Sequence, residues 1–382
     1  MKTVRLYDND AYLSEFSAMV LSCEARESNF KIILDRTAFF PEGGGQDADT
    51  GTIGTAKVLD VQIKDDVITH ITDAPVSVNK EVMCKINWDT RYRRMQNHSG
   101  EHIVSGIAHS LYGCTNVGFH MGKEITVDFD IELNQDQIYE IERLSNEAVY
   151  KNVTISAEYP DPEILKDLDY RSKLDLSDGV RIVTIDGYDK CACCAPHVRK
   201  SGEIGIIKIL DSMRHRGGTR LFMLSGQDAF EDYCIKTKNL YEIAVKLCAK
   251  HNEELPAFRK LCDEVSELKQ KCASLSKELT QLKSANSETI NGINIFFESE
   301  ADMPTIRNLA LETAKTHEGI AAVFSGNDNS YKYAISSMQT SVKDFSLKLN
   351  QKFNGRGGGS DELVQGNICA SDEDIRSFFT EM

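Results

Sequence analysis

Apolar and polar residues alternate along the first ninety positions, with turn residues between the alternating stretches. The pattern predicts short antiparallel strands at Thr3–Leu6, Ala18–Ala25, Phe30–Asp35, Val58–Ile63 and Val67–Ile71, which together suit a small β-barrel. From 91 to 230 the pattern is mixed. A helix carries Met95, His98, His102, Ile103 and Ile107, and strands follow at Val117–Met121 and Ile125–Phe129. A second helix at Asp136–Tyr150 precedes strands at Val153–Glu158, Val180–Ile185, Ile204–Leu210 and Thr219–Leu224. This segment predicts an α+β domain around an antiparallel sheet.

Residues 231–290 turn helical. Leu240, Ile243 and Leu247 mark one helix, which Glu254-Leu255-Pro256 interrupts. Phe258, Leu261, Val265, Leu268, Cys272, Leu275, Leu279 and Leu282 then fall at alternating steps of three and four, the seam of a coiled coil or helical hairpin. The seam can close within the chain or join two copies as a homodimer. Residues 291–382 predict an α/β unit, with helices at Thr305–His317 and Val342–Phe353 around strands at Ile320–Ser325 and Tyr331–Ser336. The whole chain thus reads as α+β, in four segments: 1–90, 91–230, 231–290 and 291–382.

Composition narrows the setting. The 382 residues contain no apolar run of membrane-spanning length, and the start, MKTVRLYDND, lacks the apolar core of a signal peptide. The expectation is a cytoplasmic protein without membrane contact, whose eleven cysteines are thiols or ligands rather than disulfides. A net charge of −15 speaks against indiscriminate nucleic-acid binding. Local basic patches remain: Arg91, Arg93 and Arg94, and Arg199-Lys200 through Arg214, Arg216 and Arg220.

Two runs carry the candidate chemistry. In His98-Ser-Gly-Glu-His102 a helix would set both imidazoles on one face, about one turn apart. In Cys191-Ala-Cys193-Cys194-Ala-Pro-His197 a cysteine and a histidine are again four apart, in a turn. Cysteine and histidine together suit zinc. Each run alone has a plainer explanation, as chance helical histidines or buried thiols. Two glycine-rich stretches add to the picture. Gly43-Gly44-Gly45, inside Asp35–Gly51, permits close backbone approach to a ligand, but no Walker lysine follows. Gly355-Arg356-Gly357-Gly358-Gly359 reads as a turn whose amides suit a phosphate, or as a plain structural turn.

Taken together these parts resemble the free-standing alanyl-tRNA editing proteins, relatives of the editing half of alanyl-tRNA synthetase, over essentially the whole chain. The resemblance implies one zinc ion per chain held by His98, His102, Cys193 and His197. Family members usually read Cys-Gly-Gly-Thr-His where this chain reads Cys193-Cys-Ala-Pro-His197, so Cys194 competes with Cys193 for the ligand role. Gly187-Tyr-Asp, Ser201-Gly-Glu-Ile-Gly and Val117-Gly-Phe-His120-Met-Gly fit the family, as does Phe40-Pro-Glu-Gly-Gly-Gly-Gln46 with Asp49-Thr-Gly. By the same resemblance Thr37 and Gln46 belong to the catalytic surroundings of the acyl group. Gly43, Gly44 and Gly45 would meet substrate, and Gly355–Gly359 with Arg356 would belong to a C-terminal DHHA1 domain that holds tRNA; Arg94, Arg214 and Arg216, from the basic patches beside the two ligand runs, are further candidate substrate contacts. The implied reaction is hydrolysis of tRNA(Ala) mischarged with serine, or secondarily glycine.

Rival readings use the same residues. His98-Ser-Gly-Glu101-His102 fits the HxxEH pattern of inverted zinc peptidases with Glu101 as general base and Glu140 or Glu147 as third ligand. That pattern leaves Cys193, His197 and both glycine stretches unexplained, and Gly100 costs the helix about 1 kcal/mol. A non-catalytic, zinc-stabilised tRNA-binding protein and an editor of Ser-tRNA(Thr) complete the alternatives.

Overall fold

The structure is a computed structural model that describes residues 2–122, 124–172, 179–317, 319–327 and 329–381. It divides into two compact units, residues 1–241 and 242–382.

In the first unit six antiparallel strands close into a barrel, in the order Glu15–Arg26, Asn29–Leu34, Val67–Thr72, Ala56–Lys64, Gly51–Ile53 and Glu81–Ile86. Alternation does the work: along Glu15–Val20 every second residue is buried, and Phe16, Val20, Ile32, Leu34, Phe39, Ile53, Val61, Ile68 and Ile86 fill the interior. Two closing strands, Gly51–Ile53 and Glu81–Ile86, had no signal in the pattern. One is three residues long and opens on glycine; in the other Val82, Met83 and Cys84 stand in a row, which breaks the alternation. Conversely, the expected strand at Thr3–Leu6 shrinks to Val4–Arg5, paired in parallel with Arg36–Thr37.

The barrel leads into α1 (Trp88–Tyr112), capped by the Asn87 side chain at one end and by left-handed Gly113 at the other. Gly100, unfavourable by propensity, is required by packing. A Cβ there would lie 2.2 Å from Ser225 Oγ, so glycine lets α1 settle against the strand Gly218–Ser225. That strand belongs to a four-stranded antiparallel sheet ordered Ile207–His215, Gly218–Ser225, Ile125–Phe129, Asn116–Met121. α2 (Gln135–Lys151) starts with a capping box of Asn134 and Gln137. A three-stranded sheet of Ile155–Glu158, Ile182–Ile185 and Asp189–Ala192 and the short α3 (Pro162–Asp167) follow, and Met95, Ile103, Ile107, Val127, Ile141, Val183 and Leu221 share one core.

α4 (Gly226–Lys246) and α5 (Glu254–Ala285) come next in the chain. Pro256 does not break α5; it sits in the first turn, where its missing N–H has no helical partner to lose. The second unit continues with a six-stranded mixed sheet ordered Glu288–Ile290, Ile293–Glu298, Ile320–Asn327, Ser330–Ser337, Leu363–Ile368, Arg356–Gly359, together with α6 (Met303–Thr316), α7 (Lys343–Lys352) and α8 (Asp372–Thr380). The glycine stretch expected as a turn is therefore an edge strand, registered with Gly357 opposite Gly366. Among the described residues no helix is long and apolar enough to cross a membrane.

The first basic cluster is spent on the fold. Arg91 is fully buried, with Nε donating to both Asp49 carboxylate oxygens at 3.1 and 2.9 Å and its other nitrogens reaching the carbonyls of Ala11 and Ala38. Asp49 in turn accepts from the Phe40 backbone N–H at 2.7 Å. Arg93 pairs with Asp228 and Glu231, and Arg94 donates to the Ala48 carbonyl at 2.6 Å. Replacing Arg91 with methionine would leave Asp49 charged and buried with only the Phe40 N–H and, at 4.0 Å, Arg94 to offset it. We expect a loss of about 3–5 kcal/mol, read as a lowered denaturant midpoint for the first unit; a loss under ~1 kcal/mol would contradict the role given to this pair.

Candidate metal centre

α1 brings His98 and His102 to one face, both buried, and the turn after strand Asp189–Ala192 brings Cys193 and buried His197 to meet them. The four donor atoms lie within 4.8 Å of one another. Cys193 Sγ is 3.6 Å from His98 Nε2 and 3.4 Å from His197 Nε2. A tetrahedral ion with bonds of about 2.0–2.1 Å to nitrogen and about 2.3 Å to sulfur has sulfur–nitrogen edges of roughly 3.5–3.6 Å, so the donor set fits.

Each imidazole is held from behind. His98 Nδ1 pairs with Gln46 Oε1, His102 Nδ1 with Asp189 Oδ2 and His197 Nδ1 with Ser99 Oγ, each at 3.0 Å. Occupying Nδ1 leaves every Nε2 for the centre, the usual arrangement behind metal-bound histidines. Asp189 is itself gripped by Arg171 at 2.7 and 2.8 Å. Ser99 and Asp189 were not singled out in the sequence. Ser99 lies inside the histidine run, and Asp189 is two residues before Cys191, so position relative to the ligands was the available signal.

The electrostatics agree at Cys193 and His197. Loss of water opposes ionisation of Cys193, but His98 by its charge and His102 and His197 by hydrogen bonds to the sulfur outweigh it and hold the thiol well below its ordinary range. Burial pushes His197 down to about 3, keeping it neutral. His102 is held well above its ordinary value, because Asp189 overcomes the cost of burial. Burial raises the Cys194 thiol to about 11, and its sulfur faces Gly44 rather than the cluster. Geometry and charge therefore make Cys193 the better ligand candidate of the two. Cys191 stands with His102 and Asp189 in a second, smaller group, but Asp189 is already committed to Arg171.

The cluster opens on a cavity of about 940 Å³ lined by, among others, Gly44, Gly45, Glu101, Arg181 and Tyr188. Gly45 has φ +82°, and a Cβ there would lie 2.2 Å from the Phe119 carbonyl oxygen. Only glycine lets this loop dock on strand Asn116–Met121, where the Met121 N–H donates to the Gly45 carbonyl at 2.7 Å. Glycine 45 thereby sets the position of Gln46 behind His98.

The other expected site residues are placed differently. Thr37 is fully buried in the barrel and does not line the cavity; its hydroxyl pairs with His70 Nε2 at 2.9 Å and accepts from the Phe39 N–H at 3.1 Å. Held by His70 and the Phe39 N–H inside the barrel, Thr37 is not placed at the cavity wall where an acyl group would lie. Arg94 is tied to Ala48, Arg214 is exposed but paired with Glu132 at 2.5 Å, and Arg216 sits in left-handed conformation at a hairpin turn. Gly43 makes the tight turn to Gln46, while Gly355–Gly359 belongs to the second unit. Glu140 and Glu147, the ligands a peptidase reading requires, pair with Arg143 on α2.

Residues 11–90 match the family model of class II (A) tRNA synthetases, and residues 180–222 that of the threonyl and alanyl tRNA synthetase second additional domain. The alanyl-tRNA editing protein Aarsd1-B of Xenopus laevis is 28% identical over 94% of this chain and 92% of its own length. The chain is thus similar along nearly its whole length to the alanyl-tRNA editing proteins. An alanine–tRNA ligase from Halobacterium salinarum is 36% identical over 60% of this chain, which spans 27% of that ligase. The C-Ala domain of Aquifex aeolicus alanyl-tRNA synthetase aligns with 25% of this chain and 97% of that domain at 18% identity and a TM-score of 0.21, a likeness too slight to assign a fold.

If Cys193 is the thiolate ligand, Cys193→Ser will purify with little or no bound divalent metal while Cys194→Ser keeps a wild-type amount, as read by elemental analysis of the folded variants. The reverse pattern would transfer the role to Cys194.

Proposed function

We propose that the chain is a trans-editing hydrolase that cleaves the ester between a wrong amino acid and tRNA(Ala), serine first and glycine second, at a site that holds one zinc ion. The observation that carries this reading is the Cys/His3 cluster beside an open cavity, in a chain similar to the editing proteins over nearly its whole length. Cysteine and neutral imidazole donors favour zinc over harder ions. A second site is chemically useful here. A synthetase pocket built for alanine admits smaller glycine, and an added hydroxyl is poorly rejected by an apolar pocket.

Bound zinc would supply electrophilic polarisation or orientation of the ester at the cavity floor. The chain's own residues do the rest. Gln46, Ser99 and Asp189 fix the three imidazoles, and Gly44 with Gly45 keeps one wall free of side chains so that backbone can approach the terminal ribose. Four protein donors match a closed, structural metal site, which is the rival; the cavity that opens on the cluster favours catalysis, with the ion orienting the ester.

We assign the second unit, as a DHHA1-like domain, to holding the tRNA. The α5 seam is covered by a second copy of the chain: Phe258, Val265, Leu268, Leu275, Leu279 and Leu282 are each more than 40% exposed, on a helix whose heptad spacing suits pairing.

Catalytic amounts of the protein should deacylate Ser-tRNA(Ala) over many turnovers, leave Ala-tRNA(Ala) largely intact, and act on Ser-tRNA(Thr) far more slowly. His98→Ala should lose at least a hundredfold in rate. Full hydrolysis by folded, metal-free His98→Ala would sink the zinc role, and equal rates on both seryl-tRNAs would sink the tRNA(Ala) assignment. By sedimentation equilibrium the wild type should be a dimer at micromolar concentration, and the Leu268→Glu, Leu275→Glu double variant a monomer. A monomeric wild type would return the seam to a role within one chain.

A further inference from the structure

Glu101 lies between the two histidines of α1 and is 3% exposed, yet it lines the cavity. One of its oxygens is fully occupied: Oε1 accepts from Ser105 Oγ and from Asn116 Nδ2, both at 2.5 Å. These two bonds fix the carboxylate plane and leave Oε2 pointing elsewhere. Oε2 lies 4.0 Å from His102 Nε2, the ring nitrogen that faces the cluster, and accepts no hydrogen bond among the described residues. A carboxylate so deep in the protein is costly to leave half-satisfied. The other carboxylates lining the cavity differ. Asp169 is exposed, and Asp189 is saturated by His102 and Arg171.

From this geometry we infer that Glu101 is a substrate-binding residue that reads the free α-ammonium group of the acyl moiety. The inference deepens the proposed deacylase reading and rests on it. An aminoacyl ester placed with its carbonyl at the cluster carries its α-nitrogen on the adjacent carbon, one short step away. An ammonium there supplies a charge and donors in exchange for the unpaired oxygen, as a charge-assisted hydrogen bond. Serine and glycine both carry this group, so Glu101 gives entry to any aminoacyl-tRNA and excludes N-blocked ones such as peptidyl-tRNA. The glutamate of the histidine run thus acts in recognition, where a peptidase would use it as general base.

The test compares two non-hydrolysable ligands, the seryl amide and the 3-hydroxypropanoyl amide of 3′-amino-3′-deoxyadenosine, which differ only in the amine. Wild-type protein with its metal bound should prefer the seryl amide by about ten- to a hundredfold, the scale of one hydrogen bond to a charged group. Glu101→Gln keeps the size and the Oε1 bonds. It should lose that preference, bind the des-amino ligand as the wild type does, and retain its metal content. No preference in the wild type, or an undiminished one in Glu101→Gln, overturns the inference. If Glu101→Gln does not fold, Glu101→Asp carries the test, because drawing the carboxylate back by one methylene should reduce the preference and an undiminished one overturns it. Failure of the wild type to deacylate Ser-tRNA(Ala) would count against the proposed activity instead, since the ligand comparison reads binding alone.

Discussion

The buried pair of Arg91 and Asp49 is the constraint on which the site depends. Arg91 opens the helix that carries both histidines, and Asp49 ends the glycine loop that carries Gln46. Arg91 also reaches the carbonyls of Ala11 and Ala38, so one guanidinium fixes the barrel's approach to α1 from three sides. Its planar fork makes this possible; a lysine could supply the charge but not the parallel donors. An isolated buried ion pair often contributes little to net stability. Here its effect is geometric, because loop and helix can close around the cluster in only one register while both charges remain satisfied.

Two glycines act in the same direction. Gly100 removes the side chain that would push α1 off the strand ending at Ser225, and Gly45 removes the one that would push the loop off Phe119. Both are unfavourable when judged locally, one by helix propensity and one by conformational entropy. Both become intelligible once the neighbouring backbone is seen. The imidazoles, the loop and the cysteine turn come from three separate stretches of chain, so no one of them alone forms the cluster.

This explains what could and could not be read from the sequence. The histidine and cysteine runs announce themselves because ligand chemistry constrains both residue type and spacing, and His98, His102, Cys193 and His197 do converge. Long amphipathic helices were legible for the same reason, since a buried face forces a period. Short barrel strands such as Gly51–Ile53 were not, because three residues carry no period and their pairing is decided by distant partners. The arginines before His98 looked like a patch for an anionic substrate. Charge in sequence does not reveal whether a carboxylate waits in the fold, and Asp49, Asp228 and Glu231 all do. Thr37 shows the same limit from the other side: a hydroxyl near a loop of interest can be claimed by a barrel histidine far along the chain.

The partners behind the ligands also separate the two readings of the His98–His102 run. A peptidase of the HxxEH type needs its glutamate free to take a proton and a third ligand from a following helix. In this chain Glu140 and Glu147 are engaged with Arg143, and the remaining donors come from the cysteine turn instead. That exchange of ligands changes what Glu101 can do. With Cys193 and His197 beside the two histidines, four donors are in place without the carboxylate, and Ser105 and Asn116 engage one of its oxygens. The other oxygen stays beside the cluster at the cavity wall. A short motif therefore has no fixed function of its own; the donors that gather around its two histidines, here Cys193 and His197, decide what work is left for its glutamate.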